Sequence, residues 1–380
     1  MRFEDVLGRS ERSELSQMEA AELLGISERT FRRWRDRHRE AGAEGLADRR
    51  LGVSLRRASV TEIERMLGLY RELYRGFTVK HFHERLLKRH NYVLGYTVTK
   101  LHLQREGLVP RAKTRSAHRK KRPRRPLVGM LLHQDASTHA WLPGDARAYD
   151  LVVTMEDATS AIYSAFLVEQ EGTASSFRGL REVVARHGLF CSLYTDRGSH
   201  YFLTPAAGGK VSKTALTQVG RALSQLGIEH IAAYSPQARG RSERVFQTLQ
   251  DRLPKEFKLA GIDTVGAANA WLRETFIAEH NGRFAVAAEQ EGSAFVADAA
   301  GAWREILCIQ EDRIVGNDNT VKWGRLSLQL PPSRLRPHFV RTTVRVHAYP
   351  DGRFAVLWGP HRLADYDAKG CLVEPIKVAA

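Results

Sequence analysis

Long hydrophobic runs are missing from this 380-residue sequence. Nothing approaches the ~18 uninterrupted apolar residues of a membrane-crossing helix, so no membrane partner is expected. The opening, MRFEDVLGRSERSELSQ, has none of the apolar core that a signal peptide needs. Cysteine is scarce too: Cys191, Cys308 and Cys371 stand far apart with no paired spacing. That argues against a disulfide framework or a cysteine zinc site, and for a reduced, cytoplasmic protein. No GxxxxGK[ST] run occurs, so no nucleotide cofactor is expected.

Acidic residues are short in one place only. Residues 1–126 carry 31 Lys/Arg against 16 Asp/Glu, a net of +15 out of +16 for the whole chain. A field concentrated in one third of a chain implies a polyanionic partner, and double-stranded DNA is the leading candidate. The apolar content of 43% supports packed domains throughout.

Within the basic third, LSQMEAAELLGISERTFRRWRDRH predicts a helix-turn-helix. Ser16 and Glu19 form a capping box, Gly25 supplies the left-handed stop, and Ser27 caps a second helix. Phe31 and Trp34 face inward. Arg29, Thr30, Arg32, Arg33 and Arg35 are left on or near the exposed side, where a reading helix meets base edges. The bland alternative is a helical hairpin with a solvated basic face.

SVTEIERMLGLYREL predicts a further helix. TVKHFHERLLKRH and TVTKLHLQREGLV predict a second helix-turn-helix, with Thr97, Thr99 and Lys100 opening its reading helix. His81 and His83 lack a further ligand at zinc spacing and read as ordinary helix residues. Residues 111–126, RAKTRSAHRKKRPRRP, hold nine Lys/Arg and no acid. They predict an extended linker in which Arg119, Lys120, Lys121 and Arg122 lie along phosphates.

After Pro126 the pattern becomes three strands, helix, strand, helix, strand, helix: a mixed α/β domain. LVGMLLHQD is a strand ending in Asp135, and FCSLYTDRGSHY is a strand ending in Asp196. A helix of roughly residues 213–226 and the strand IEHIAA follow. YSPQARGRSERVFQTLQDRL then passes from loop to helix at about Ser242, with Glu243 among Arg239, Arg241 and Arg244. Carboxylates at strand ends are costly unless neutralised. Hard divalent cations prefer oxygen ligands, and two can clamp an in-line phosphoryl transfer. Glu243 could equally balance its arginines. Gln247 and Gln250 share its helix face, a polar stripe that could meet DNA, and Arg239 and Arg241 would hold phosphate.

HQDAST, YTDRGSHY and SPQARGRSERVFQTLQDRL together resemble the three acidic motifs of the DDE transposase and retroviral integrase superfamily. The order of parts over residues 15–285 resembles bacterial insertion-sequence transposases, the ISNCY group among them. The resemblance implies a ribonuclease H-like core and a metal-binding catalytic triad of Asp135, Asp196 and Glu243. It also implies two Mg²⁺ ions (Mn²⁺ as substitute) and cleavage and transfer of DNA strands between terminal inverted repeats and target DNA. A homo-oligomer on DNA, within the bacterial nucleoid, follows from the need to join two ends. The interval from Asp196 to Glu243 is longer than in archetypal members, with LTPAAGGKVSKTALTQ as the insertion. Glu156 and Asp157 form an acidic pair in the second strand, for which a supporting role is expected.

TTVRVHAYPDGRFAVLWG predicts a β-hairpin, and residues 310–375 a small SH3-like barrel that contacts DNA, contacts a neighbouring protomer or merely caps the core. Trp323 and Trp358 read as core. The expected domains are therefore 1–50, 51–110, the linker 111–126, the catalytic core 127–290 and the barrel domain 291–380. Two further readings remain: a catalytically inactive DNA-binding regulator, and a nuclease of the same fold that cuts without joining.

Overall fold

The computed structural model describes residues 3–47, 58–111, 123–204, 209–212, 214–234, 236–299 and 301–373, with backbone alone at 236–239. The chain divides into two compact units, Met1–Arg111 and Ala112–Ala380.

In the first unit, α1 (Phe3–Glu11), α2 (Gln17–Leu23) and α3 (Glu28–Ala41) close on a small core of Val6, Leu7, Ala20, Ala21 and Phe31. The predicted capping box is present, with Ser16 N–H donating to Glu19 at 2.8 Å and Glu19 N–H to Ser16 Oγ at 3.2 Å. Gly25 takes φ +65° in the turn, a conformation that would strain a residue with a Cβ. Helix α1 is an addition to the sequence reading: its few apolar residues are interleaved with charge, and only packing against α2 and α3 defines it. The Phe3 ring lies 5.9 Å from Phe31 and 5.7 Å from Trp34. Next come α4 (Val60–Glu72), α5 (Val79–Arg89) and α6 (Tyr96–Arg105). Met66, Tyr70, Tyr74, Phe82, Leu86 and Leu103 are buried among the residues of this segment.

In the second unit, β1 (Leu132–His139), β2 (Tyr149–Glu156) and β3 (Ile162–Val168) form an antiparallel meander. Helix α7 (Thr173–His187) leads to β4 (Ser192–Thr195), and α8 (Gln218–Gln225) leads to β5 (Glu229–Ala232). Both later strands run parallel to β1, giving the order β3-β2-β1-β4-β5. This is the mixed sheet of a ribonuclease H-like core. α8 is shorter than the 213–226 expected, because Thr217 caps it and accepts the Gly220 N–H.

Strand alternation sorts the two faces. Leu132 and Gln134 face α7 and α8: Leu132 joins Phe177, Leu180, Val219 and Leu223, and Gln134 donates to the Ser176 carbonyl. A Cβ at Gly179 would come within 2.6 Å of Gln134 Nε2, so a larger residue there would have to displace the Gln134 amide from its bonds to Thr154 and Ser176. The other face carries Leu151, Val153 and Met155 and is covered by α9 (Pro236–Ala260), α10 (Val265–Trp271) and α11 (Ile277–Phe284), through Phe246, Leu249 and Phe257 among others.

The chain then forms α12 (Trp303–Ile306), β6 (Ile309–Ile314), β7 (Thr320–Trp323), β8 (Leu326–Gln329), β9 (Thr343–Ala348), β10 (Phe354–Trp358), β11 (His361–Tyr366) and β12 (Leu372–Val373). The predicted hairpin is β9–β10, turning at Tyr349–Arg353. The expected closed barrel is not formed among the described residues. β6, β9, β10, β11 and β12 make an open antiparallel sheet, and β7–β8 pair only with each other. The ribbon instead packs on the sheet, with Val321 and Leu328 against Val346 and Val356, so the core closes by side chains rather than by a continuous ladder.

This layer is fastened to the core. Arg181 on α7 donates to the carbonyls of Arg304 and Leu307 at 3.0 and 3.2 Å. Arg221 on α8 donates to that of Cys308 at 2.6 Å, and Gln218 exchanges two bonds with the Gln310 backbone. Trp303 and Leu307 complete the α7–α8 core.

Candidate active site and nucleic-acid interface

Asp135 is the fourth of eight residues in β1, not its end, and lies opposite Val153 with 8% of its surface exposed. The sequence reading ended the strand at Asp135, where the apolar run stops; pairing with β2 carries the ladder on to His139. β1 pairs with β4 only through Leu132↔Leu193 and His133↔Tyr194. Carried two residues on, that register sets Asp135 level with Asp196, on one face of the sheet and next to the end of β4. Asp135 Oδ1 accepts the Ala136 N–H at 3.0 Å, and Asp196 Oδ1 accepts the Gly198 N–H at 2.9 Å. Burial pushes the Tyr201 hydroxyl far up, against a hydrogen bond with Ser176 and with Glu171, Asp196 and Asp135 adding to the shift.

The face that carries Asp135 is the one that α9 covers. That helix begins at Pro236 rather than near Ser242, since proline suits the first helical turn. Gln250 donates to Ser137 Oγ at 2.9 Å and so docks on β1, two residues past Asp135. It is therefore a helix–sheet contact and not part of a stripe facing DNA. Gln247 is exposed. Glu243 is also exposed, and among the described residues no group of three acidic, histidine or cysteine side chains is close enough to hold a metal ion. Carried on, the β1–β4 register would set Asp135 beside Asp196, while Glu243 is exposed on its helix.

Arg241 has a different partner from the phosphate expected of it. Its guanidinium bonds the carboxylate of Asp157 and, at 3.1 Å, the Asp157 carbonyl, and the side chain is only 10% exposed. Asp157 also meets His133 Nε2 at 2.7 Å and accepts the Arg125 backbone N–H at 2.8 Å. Burial works against this carboxylate, but the bonds from His133, Arg125 and Arg241 outweigh it and hold the pKa well below the usual range. Its neighbour Glu156 is pushed up by burial, although it accepts the Gly129 and Ala158 N–H groups. Asp157 is thus the fixing point for β1, for the chain entering the core and for the early turns of α9. The sequence reading missed His133 and Arg124. The alternation that places His133 two residues before Asp135 was the available signal.

In the first unit, Arg29, Arg32 and Arg33 are exposed along α3, as a reading helix requires. Thr30 is half-buried and its hydroxyl meets Ser27 Oγ at 2.8 Å, so it completes the cap. Arg35 turns onto Asp36 at 2.9 Å. On α6, the expected second reading helix, Thr97 is exposed and Lys100 half-exposed. Thr99 is fully buried, with its hydroxyl donating to Tyr92 Oη at 3.1 Å, so it cannot read a base. Thr99→Val should cost about 1–2 kcal/mol by stranding that phenol, with base preference unchanged; urea unfolding beside a binding-site selection checks both. The Arg119–Arg122 cluster lies outside the described residues, as does the Arg239 side chain.

A helix-turn-helix unit, followed along the chain by a β3-β2-β1-β4-β5 sheet, defines a DNA-binding protein with a ribonuclease H-like core. A helix-turn-helix domain family matches residues 6–52. "Putative transposase y4bF" of Sinorhizobium fredii is 30% identical over 364 residues, 94% of this chain and 79% of that protein. The chain belongs to this transposase family. The transposase for insertion sequence IS1202 of Streptococcus pneumoniae is 35% identical over 151 residues, 40% of this chain and 32% of that one. Among solved structures, the integrase catalytic core domain of HTLV-2 aligns at 14% identity and TM-score 0.29, covering 39% of this chain and 88% of its own. The simian T-cell lymphotropic virus intasome aligns at 13% and 0.33, covering 80% and 100%. Both structural likenesses are weak, and the fold rests on the sheet order itself. No helix among the described residues is long and apolar enough to cross a membrane.

Proposed function

We propose that the chain is a DDE-type polynucleotidyl transferase that binds the ends of its element, cuts there and joins the freed 3′-OH to target DNA. What supports this is the parallel register of β1 and β4, which, carried two residues past its pairs, would set Asp135 level with Asp196 on the face covered by α9. An all-oxygen donor pair suits Mg²⁺ or Mn²⁺ better than a softer ion. Asp135 and Asp196 would hold the metal, and Glu243 would complete the set after its helix turn reorients on DNA. When bound, such ions neutralise charge on the transferring phosphoryl group and activate the attacking oxygen.

The chain's own residues supply position. The Ala136 and Gly198 N–H groups each hold one oxygen of an aspartate and fix the orientation of the two carboxylates. The Gln250–Ser137 bond and the Asp157 cluster hold α9 along β1. In each step one O–P bond forms in line as another breaks: water attacks at the element end and releases a 3′-oxygen, which then attacks a target phosphodiester. No covalent enzyme intermediate is needed. Joining two ends calls for a dimer or larger assembly.

The outward stance of Glu243 favours a second reading, a regulator that binds ends without cutting. One experiment separates them: a labelled duplex with the element's own end, incubated with Mg²⁺ or Mn²⁺, for wild type and Glu243→Gln. Cutting and joining by wild type, with end binding but neither reaction by the variant, supports the transferase. Equal activity of the two would show that Glu243 only balances nearby arginines. Cutting without joining would leave the nuclease reading.

A further inference from the structure

A concentration of positive charge lies on the flank of α9. A cleft of about 310 Å³ is lined by Arg124 from the chain entering the core, Ser160 from the β2–β3 turn, Arg241, Arg244 and Thr248 from α9, and His280 from α11. Three guanidiniums and two hydroxyls converge there, and no carboxylate lines the cleft among the described residues. The nearest acid named by the contacts, Asp157, is already shared by His133, Arg125 N–H and Arg241. Arg124 is held in place by the carbonyls of Asp157 and Ala158 at 3.0 and 3.1 Å and by Ser160 Oγ at 2.8 Å, none of which neutralises it.

Like charges this close repel unless an anion joins them. Burial first, and then Arg241 and Arg244 against the pull of Asp157, depress the Arg124 pKa, so the local field is positive in surplus. His280 is 5% exposed with an Nδ1 that has no hydrogen-bond partner, and burial, Arg252 and Arg283 take its pKa down to about 4. A buried polar atom without a partner is costly, and at a cleft it marks a place where a polar ligand would sit.

We infer that this cleft seats one backbone phosphate of bound DNA. It would be a sequence-independent clamp, formed where the chain between the helical unit and the core meets the helix that carries Glu243. The inference rests on the transposase reading and adds a specific contact to it. A single phosphate fits the size and the donor set. Guanidiniums pair with two phosphate oxygens at once, and Thr248 and Ser160 offer hydroxyls.

The test uses the full chain and Arg244→Ala, an exposed position whose Nε otherwise meets only its own helix, at the Gly240 carbonyl, in the contacts shown. Binding of an element-end duplex and of an unrelated duplex is followed by anisotropy across a salt series. The variant should weaken both by a similar factor and lower the slope of log Kd against log salt by about 1. A methylphosphonate scan then locates the contact: at one backbone position neutralisation weakens wild type several-fold and leaves Arg244→Ala unaffected. Thr248→Val should show a smaller loss at the same position. Wild-type affinity and slope in Arg244→Ala, with an unchanged melting temperature, would overturn the clamp. So would a change in self-association with none in DNA binding, which would mean that the cleft takes a protein carboxylate. Failure of wild type to bind any duplex would instead sink the transposase reading.

Discussion

Asp135→Asn and Asp196→Asn should each lower strand cleavage by at least about 100-fold while end binding stays unchanged. Each substitution keeps side-chain shape and removes one negative charge from a site whose proposed work is charge neutralisation. Metal-ion stabilisation of a phosphoryl-transfer transition state amounts to several kcal/mol, and about 1.4 kcal/mol is a factor of ten in rate. Asp135 lies mid-strand and nearly buried, so the ladder fixes the asparagine as it fixes the aspartate. Gel assays of cleavage and joining, beside anisotropy for binding, separate chemistry from recognition. Equal loss of binding and cleavage would mean that the two acids organise the DNA surface instead.

Asp157→Asn should destabilise the core by about 3–5 kcal/mol, the cost of breaking a buried charge pair from one side. The carboxylate is fully buried and serves His133, Arg241 and the Arg125 N–H, and an amide cannot balance the guanidinium. The pH dependence has a definite sign. The folded pKa of Asp157 is held below its unfolded value, so its contribution is fully present above about pH 4 and fades as the pH falls through that range. The gap between wild type and variant in urea midpoints should therefore be wide at neutral pH and narrow in acid. A gap that does not change with pH would mean that packing, not charge, is what the substitution removes. Because Arg241 belongs to α9, the variant should also lose cleavage through a loosened helix even where it stays folded.

The fold was legible where local chemistry and burial agree. The capping box at Ser16, the glycine turn at Gly25, the β2–β3 pair and the β9–β10 hairpin all follow from spacing, because each is settled within a few residues. Position on a face was harder. Thr99 looks like a reading residue from its place near the start of α6, yet the inward face of that helix takes it to Tyr92. Gln250 falls on the same stripe as Glu243 by helical spacing, but the lie of α9 on β1 turns it to Ser137. Arg241 was read as free to hold phosphate because its partner is 84 residues away in sequence. The barrel failed for a similar reason: alternation reveals strands, while closure depends on which edges meet. Of the candidate site, the two aspartates can be placed from the strand pattern. What Glu243 faces depends on a helix rotation that sequence periodicity does not specify.

The arginines that tie α7 and α8 to residues 304–308 set a distance as well as an attachment. Arg181 and Arg221 end on main-chain carbonyls, and Trp303 is sunk into the same core as Phe177, so the C-terminal sheet is seated on the core by side chains and not joined by chain alone. Anything grasped by that sheet is held at a span gauged by packed side chains rather than by a tether's reach. If it grips DNA and the proposed chemistry holds, the protein carries a built-in ruler from the grip to the bond that would break.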